Sequence, residues 1–381
     1  MNKFIFWQVG EWSKRNVVYM SRSRGRAIVL ASNAFGTLEG KTANDVVIYE
    51  GKYKIAAVID EKKAGKDAGE VLGIGKKNIP IVGSLREALK YKPEAIIIGI
   101  APPGGSLPAE WKSIIKEAIK NGLDIVSGLH YFFSDQPEFS DLAKKHGVKL
   151  IDLRKPPKDL EILTELANIK VPVVAILSTD AATGKNIVMM ELAKEAEKRG
   201  LNVGAVATGQ TMMIIRGDAG AAIDAIPGDF IPGTMKKMTV DVAKMGKDII
   251  IVEGQASLSH PAYGVETLAI LYGSQPDAVI MVHDPFRKTR DGFPKMKVPS
   301  PLEEIHLIET ICPKTKVVGI AISYIYNYSG LKSDEEVRAA IKQAEKETNL
   351  PATDVQRFGA ESLFDAIVEH CKKINKPLRK T

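Results

Sequence analysis

The segment at residues 178–186 has the residue types and the spacing of a phosphate-binding loop. It reads S-T-D-A-A-T-G-K-N and follows the apolar run at residues 171–177, which predicts a buried strand. In such a loop the backbone N–H groups and the start of the next helix face an anion, while Lys185 adds positive charge and Gly184 lets the backbone approach closely. We predict that a nucleotide or a nucleotide-bearing cofactor binds here, through Ser178, Thr179, Asp180, Thr183, Gly184, Lys185 and Asn186.

The loop departs from the usual pattern G-x4-G-K-[ST] at both ends. One more residue separates its ends, and Ser178 takes the place of the first glycine. Asn186 stands where ATPases with this loop place a Ser or Thr hydroxyl on Mg²⁺. Because an amide oxygen is a less typical ligand for that ion, the pattern favours phosphate binding over metal-assisted phosphoryl transfer. We predict no resident metal ion.

Two residues after a second apolar run are candidates for proton transfer. Glu253 ends the run at residues 248–252, and an acid at the end of a strand beside a phosphate loop could hold Mg²⁺ or act as a base. A carboxylate that only caps the following turn is the alternative. His260 lies seven residues further on and has an ordinary pKa near neutrality. We predict Glu253 and His260 as the catalytic residues.

Several polar residues follow other predicted strands, and these strand ends meet at the ligand-binding edge of an open α/β sheet. Arginines there could form paired hydrogen bonds with a substrate carboxylate, and a histidine could carry a proton. For each lone Arg or His, a turn hydrogen bond or a surface charge is the alternative. The predicted substrate-binding residues are Thr208, Gln210, Arg216, His283 and Arg287. Two glycine-bearing turns, at residues 99–105 and 127–130, could line a second crevice or be plain turns.

The elements that must position these residues alternate between strands and helices, which predicts parallel, doubly wound sheets. Predicted strands of the first half lie at 27–31, 54–60, 79–82, 95–100, 124–126 and 149–153, with helices at 85–91 and 109–121. Predicted strands of the second half lie at 171–177, 202–208, 248–252, 278–283 and 315–323, with helices at 185–199, 261–272, 302–311, 333–348 and 360–373. A polar, proline-rich linker at 154–158 separates the halves.

The bulk properties are those of a two-domain chain with an ordinary composition. The 381 residues carry 53 Lys and Arg against 46 Asp and Glu, a net charge of +7 that suits an anionic ligand. Part of the excess lies in residues 1–26, which we interpret as a solvated basic extension, with nucleic-acid binding as the less favoured alternative. Two distant cysteines exclude a disulfide framework, and no apolar run is long enough to span a bilayer, so a cytoplasmic location fits best.

The chain also resembles a known family from about residue 27 to residue 373. The segments that carry the resemblance include V-I-D at 58–60, G-I-A-P at 99–102, S-G-L-H at 127–130, A-T-G-Q-T at 207–211 and V-E-G-Q at 252–255. The family is one of unknown function, with a Rossmann-like N-terminal half and a P-loop C-terminal half similar to dethiobiotin synthetase. The resemblance therefore implies a Rossmann-like domain at 27–155 and a P-loop NTPase-like domain at 156–381.

Characterised members of this family resemble D-glutamate N-acetyltransferases, which move an acetyl group from acetyl-CoA to an amino acid. The family's usual loop reads G-T-D-C-x-x-G-K, whereas this chain has Ser178 and Ala181 at the glycine and cysteine positions. A loop that binds phosphate without Mg²⁺ is suited to bind a phosphate group of coenzyme A. The resemblance thus implies acetyl-CoA as the cofactor.

Three hypotheses follow for the function. The first is an N-acyltransferase in which the loop holds a coenzyme A phosphate, Arg216 or Arg287 holds the substrate carboxylate, and Glu253 or His260 accepts the ammonium proton. The second is an ATP- and Mg²⁺-dependent ligase or kinase of the dethiobiotin-synthetase type. The third is a non-enzymatic nucleotide-binding protein. We expect an amino acid as the small-molecule partner, no membrane contact, and self-association into a homo-oligomer.

Overall fold

The computed structural model describes residues 25–37, 39–100, 107–323 and 332–378. The predicted basic extension at residues 1–26 lies outside these ranges except for its last two residues. Most of the glycine-bearing turn at residues 99–105 lies outside them as well. None of the described helices is both long enough and apolar enough to cross a bilayer.

The N-terminal domain is built on a parallel sheet of six strands. These are β1 (Arg26–Leu30), β2 (Lys54–Ile59), β3 (Ile81–Val82), β4 (Ala95–Ile98), β5 (Asp124–Ser127) and β6 (Leu150–Asp152). They lie in the order β3-β2-β1-β4-β5-β6, and every neighbouring pair is parallel. The central strands are apolar on both faces, because helices cover both sides of such a sheet. This strand order is that of a Rossmann fold and confirms the predicted class of the domain.

The C-terminal domain is built on a parallel sheet of seven strands and a separate hairpin. The sheet strands are β7 (Val173–Ser178), β8 (Val203–Ala207), β9 (Ala219–Gly220), β10 (Ile249–Glu253), β11 (Ala278–His283), β14 (Lys316–Ile322) and β15 (Ala352–Thr353). The antiparallel hairpin consists of β12 (Thr289–Arg290) and β13 (Phe293–Lys297). The sheet order is β15-β14-β11-β7-β10-β8-β9. Strand β7 therefore lies at the centre, with the ends of β10 and β11 on either side of the loop that follows it.

Helices pack on both faces of the two sheets. Those of the N-terminal domain are α1 (Lys41–Tyr49), α2 (Ala68–Val71), α3 (Leu85–Ala88), α4 (Ala109–Lys120) and α5 (Pro137–His146). Those of the C-terminal domain are α6 (Lys185–Lys198), α7 (Gln210–Ile215), α8 (Ile231–Ala243), α9 (Gly264–Ser274), α10 (Pro301–Ile311), α11 (Asp334–Thr348) and α12 (Glu361–Lys373). Ser300 and Ser333 begin α10 and α11 with capping boxes, in which the serine and a glutamate three residues later satisfy each other's backbone N–H groups.

The two domains pack tightly where α1 meets α7. The buried ammonium group of Lys52 donates to the carbonyl oxygens of Met213 and Gly217, at 2.8 and 2.6 Å. The hydroxyls of Thr42 and Thr211 lie 2.9 Å apart across the same contact. Core residues of both domains form one continuous apolar cluster. The start of α1 is thereby fixed beside the ligand-binding edge of the P-loop sheet.

Candidate functional site at the P-loop and the interdomain cavity

The loop between β7 and α6 has the backbone of a phosphate-binding turn. Gly184 precedes α6 with φ +91°, and Ala182 has φ +48°. Alternation of right- and left-handed residues turns successive N–H groups toward one point, where an anion binds. A side chain at Gly184 would clash, because a Cβ there would lie 2.3 Å from Oγ of Ser323. The loop therefore has both the geometry and the glycine that close contact with a phosphate requires.

Lys185 is a buried cation whose hydrogen-bond partners are both neutral. Its side chain is directed back over the loop, and Nζ donates to Oγ of Ser178 at 2.8 Å and to the carbonyl oxygen of Asp180 at 3.1 Å. Burial is the main cause that lowers the pKa of Lys185 to about 7; the ammonium of Lys41 also lowers it, and the carboxylates of Asp180 and Glu253 raise it. An anion bound in the loop would stabilise the charged form.

Asp180 anchors the loop from within a buried ionic network. Its Oδ2 accepts hydrogen bonds from Nη1 of Arg287 at 3.1 Å and from the backbone N–H of Asp291 at 2.8 Å. Arg287 also donates to the carbonyl oxygens of Ala181 and Ala182, both at 2.7 Å. Because Arg287 binds these two carbonyl oxygens, it stabilises the conformation of the loop. The hydrogen-bonding groups of its guanidinium are therefore engaged within the protein.

The predicted histidines contact this network from two sides. Nδ1 of His260 accepts from the backbone N–H groups of Ala262 and Tyr263, each at 3.2 Å, so the neutral ring carries its proton on Nε2. That Nε2 lies 3.6 Å from Oδ1 of Asp180, and burial lowers the pKa of His260. His283 lies 3.0 Å from Oγ1 of Thr179, and burial lowers its pKa to about 4. Both rings are therefore neutral at physiological pH and support the loop.

Glu253 lies at the end of β10 and is 4% exposed. Its Oε2 accepts from the backbone N–H groups of Thr208 and Gly209, at 2.7 and 2.9 Å. Burial raises its pKa to about 7 despite these hydrogen bonds and the field of Lys41, which lower it. Nε2 of Gln255 donates to Oγ1 of Thr208 at 2.8 Å, so Gln255 contacts the residue whose backbone N–H binds Glu253. A carboxyl group with a pKa near neutrality can both accept and release a proton at cellular pH.

A polar cavity of about 290 Å³ lies between the two domains and reaches Glu253. From the C-terminal domain it is lined by Asn186, Gly209, Gln210, Thr211, Glu253 and Gln255. Asp224 of the C-terminal domain also lines it. The remaining lining residues are Glu39, Lys41 and Thr42 from the N-terminal domain and Arg154 from the predicted linker. The amide of Asn186 also crosses the domain boundary, since its Nδ2 donates to Oδ2 of Asp45 at 3.1 Å. The cavity thus has one wall from each domain.

Two family models match this chain. The P-loop domain of a domain of unknown function (DUF1611_C) matches residues 162–364, and the corresponding Rossmann-like domain (DUF1611_N) matches residues 61–156. The chain belongs to the DUF1611 family. This confirms the resemblance and the pair of domains that its motifs predict.

Relatives of this DUF1611 chain include one solved structure and two curated proteins. A DUF1611 family protein from Anabaena variabilis is 33% identical, with a TM-score of 0.82 over 92% of this chain and 100% of that chain. A protein named D-glutamate N-acetyltransferase from Tritonibacter scottomollicae is 34% identical over 74% of this chain and 84% of its own length. A second protein of that name, from a Pseudoalteromonas species, is 34% identical over 74% of this chain and 83% of its own length.

In the structure of this protein, the predicted site residues lie together, with the exception of Arg216. The loop residues, Glu253, Thr208, Gln210 and the neutral histidines all lie at one edge of the sheet. Arg216 does not: it follows α7, and its Nη2 donates to Glu197 near the far end of α6, at 2.6 Å. The prediction that Arg216 holds a substrate carboxylate therefore has no geometric support, because α6 carries that pair away from the loop.

The N-terminal domain contributes further residues to the site, which the sequence motifs do not identify as site residues. Lys41, Thr42, Asp45 and Arg154 were not among the predicted site residues, yet all contact the cavity or the loop's neighbour Asn186. A signal for the first two is present in the sequence, since Gly40, Lys41 and Thr42 form a Gly-Lys-Thr triplet that opens a helix after β1. Arg154 begins the R-K-P-P run of the predicted linker, but that run does not place its side chain in the cavity, because the contact depends on the packing of the two domains.

Proposed function

We propose that this DUF1611 protein is an N-acyltransferase that moves an acetyl group from acetyl-CoA to the amine of an amino acid such as D-glutamate. The observation that carries the proposal is the position of Glu253, a buried carboxyl group with a pKa of about 7 that faces a small cavity beside the phosphate-binding loop. Two relatives that are 34% identical to this chain over the aligned residues bear the name of such an enzyme, which supports the proposal further.

The loop would hold a phosphate of coenzyme A. Lys185 is buried with only neutral oxygens as hydrogen-bond partners, so a phosphate would supply an anionic partner for its ammonium group. Asn186 directs its amide nitrogen to Asp45 of the other domain. The residue that follows the loop lysine therefore joins the two domains in this chain, an arrangement that suits phosphate binding rather than phosphoryl transfer.

Glu253 would act as the general base. The acceptor amine enters as an ammonium ion, and its proton passes to Glu253 so that the nitrogen lone pair is free. The nitrogen then forms a bond to the thioester carbonyl carbon, the bond from that carbon to sulfur breaks, and the thiolate leaves and takes up the proton that Glu253 had accepted. The nitrogen still carries one proton more than an amide, and this second proton passes to the carboxylate of Glu253 and from there to solvent. The products are the N-acetyl amino acid and coenzyme A with a free thiol.

The full chain, incubated with acetyl-CoA and D- or L-glutamate, is expected to release free thiol. Glu253→Gln keeps the shape of the side chain and removes the base, so we expect kcat to fall by about 10²- to 10⁴-fold while the affinity for coenzyme A is kept. Glu335→Gln, an exposed change on α11, serves as the matched control. Absence of thiol release across a panel of amino acids would exclude the proposal.

A ligase or kinase that uses ATP and Mg²⁺ is the second candidate, and a specific observation favours it. Glu253 ends the strand that pairs with the P-loop strand β7, with Glu253 opposite Ile176, which is where P-loop enzymes place an acid near the metal. This candidate predicts thermal stabilisation by Mg·ATP that Lys185→Ala removes. Stabilisation by coenzyme A alone would decide for the acyltransferase, and binding without any turnover would favour a nucleotide-binding protein.

A further inference from the structure

Lys41 is a cation of the N-terminal domain that lines the interdomain cavity from the first turn of α1. No hydrogen bond or ion pair links its ammonium group to another of the described residues. The side chain is half-buried. A cation that lines a polar cavity without a partner is suited to bind an anionic group of a ligand.

The other cation in the cavity, Arg154, is already occupied. Its guanidinium is paired with Asp224, donates to Oε1 of Gln210 at 2.8 Å, and also donates to the carbonyl oxygen of Gly128. These bonds fix Arg154 as part of the wall. Of the two arginines predicted to bind a substrate carboxylate, Arg287 is bound to the loop and Arg216 to Glu197. Lys41 remains as the cation that can receive such a group.

Lys41 and Glu253 line the same cavity, and the charge of Lys41 lowers the pKa of Glu253. Among charged groups, Lys41 has the largest effect on the pKa of Glu253, and it has the same rank for Lys185 and Asp45. Glu253 directs one carboxylate oxygen, Oε2, to backbone N–H groups, while Oε1 receives no hydrogen bond from the described residues. The cavity is therefore lined by both a cation and a carboxylate. An amino acid carries the complementary pair, a carboxylate and an ammonium group on one carbon atom.

We propose that Lys41 binds the α-carboxylate of the amino-acid acceptor in this cavity and thereby places its amine beside Glu253. The inference rests on the proposed acyl transfer and adds to it an acceptor site formed by both domains. The volume of about 290 Å³ lies at the lower end of small-molecule sites, which span roughly 300–1,000 Å³, and suits a compact polar ligand rather than a whole coenzyme. The Thr211 hydroxyl and the amide of Gln255 supply further polar contacts along the wall.

The test compares Lys41→Met with Lys41→Arg, and uses Lys62→Met, an exposed lysine of the same domain, as the matched control. Loss of a charge-assisted contact is expected to raise the KM for D-glutamate by about 10- to 100-fold in Lys41→Met, with the KM for acetyl-CoA unchanged and part of the loss restored in Lys41→Arg. Because Lys41 lowers the pKa of Glu253, the acid limb of kcat/KM is expected to move to higher pH in Lys41→Met.

A substrate comparison tests which group Lys41 binds. 4-Aminobutyrate lacks the α-carboxylate of glutamate, so it should be a poor acceptor for the wild type, and Lys41→Met should weaken it no further. Equal losses for both acceptors would overturn the assignment of the α-carboxylate. A rise in the KM for acetyl-CoA, with that for D-glutamate unchanged, would place Lys41 on the coenzyme and overturn the inference.

Direct binding separates this inference from the proposed reaction. Calorimetric titration of D-glutamate into the wild type and into Lys41→Met needs no turnover. Binding that depends on Lys41, without thiol release, would reject acyl transfer and keep the acceptor site. Turnover with an unchanged KM in Lys41→Met would reject the acceptor site alone, and a wild type that neither binds nor turns over an amino acid would reject both. Retained binding of coenzyme A by Lys41→Met shows that the variant is folded.

Discussion

At the scale of single residues, the site is defined by ionisable groups whose burial moves their pKa values toward neutrality. Burial lowers the pKa of Lys185 to about 7 and raises that of Glu253 to about 7, so both groups change charge in the pH range of the cell. Such pairs are typical of functional sites, since a group that is stable in one protonation state cannot take part in proton transfer. In contrast, His260 and His283 are neutral there, because burial lowers the pKa of both.

The pKa of Lys185 predicts how coenzyme binding depends on pH. A phosphate binds the charged form, which dominates below pH 7 in the free protein. Above pH 7 binding must be accompanied by uptake of a proton, so the affinity for coenzyme A is expected to fall by about tenfold for each pH unit until the pKa of Lys185 in the complex is reached. Calorimetry at pH 6 to 9 measures this slope.

Lys185→Arg is the control for that slope, because an arginine keeps its charge throughout the range. The variant should bind coenzyme A with an affinity that is flat above pH 7. A wild-type affinity that is equally flat would contradict the assignment of the phosphate to Lys185.

At the scale of elements, the sequence was sufficient to predict most strands of the two sheets. Apolar runs predicted the main strands, because buried parallel strands are apolar on both faces and short. The start of helix α6 at Lys185 was predicted as well, from the glycine and lysine of the loop. Helices α1, α2, α5, α7 and α8 were not predicted, and neither was the hairpin of β12 and β13. Helix α8 does carry apolar residues at helical spacing, since Met235, Met238 and Val242 are buried on one face, so its sequence contained a usable signal. Helix α7 has only six residues, which is too short for a periodic pattern.

The missed helix α1 explains why the site was only half predicted. The sequence places the loop, Glu253 and Thr208 at the ends of neighbouring strands, and parallel topology brings such ends together. It does not say that Lys41 lies opposite them, because that contact depends on how α1 packs against α7 of the other domain. Contacts across a domain boundary have no periodic signal in the chain.

The turn before α6 gives a prediction at this scale. Gly184→Ala combines a strained left-handed backbone with a Cβ only 2.3 Å from Oγ of Ser323. We expect the loop to open and the affinity for coenzyme A to fall by at least 100-fold, while the sheet beneath keeps the chain folded. Titration of coenzyme A and a thermal melt measure the two effects.

Two controls separate the clash from the backbone strain. Ser323→Ala alone should leave binding nearly unchanged. The double variant, Gly184→Ala with Ser323→Ala, should recover only part of the loss, because the left-handed conformation at residue 184 stays unfavourable for alanine. Full recovery in the double variant would show that the clash alone matters.

At the scale of the whole molecule, the two domains behave as one packed body around the cavity. The apolar cluster that contains Val46 of α1 continues through Met213 and Ile215 of α7. A Cβ on Gly51 would lie 2.5 Å from the backbone of Ile215, so the chains approach as closely there as within a single core. The geometry of the cavity therefore depends on this interface as much as on either domain. Self-association of the whole molecule stays a prediction.

Lys52→Met is expected to weaken the interface and the fold together. The change removes the donor for the buried carbonyl oxygens of Met213 and Gly217. Leaving two buried acceptors unsatisfied costs about 1–3 kcal/mol each, so we expect the free energy of unfolding to fall by about 2–6 kcal/mol. Denaturant titration measures it, and Lys54→Met, an exposed change on β2, is the matched control. Equal stability of the two variants would show that the Lys52 contacts contribute little.

The division of the cavity between two domains separates donor and acceptor recognition in the proposed reaction. In that reaction, the segment around Lys185 would bind the phosphate of the donor. The segment around Lys41 would bind the carboxylate of the acceptor. Substitutions in the first turn of α1 can thus retune the choice of amino acid without disturbing the handling of the coenzyme. In the proposed reaction, changes around Lys41 would alter the choice of acceptor while the loop that binds the coenzyme phosphate is kept.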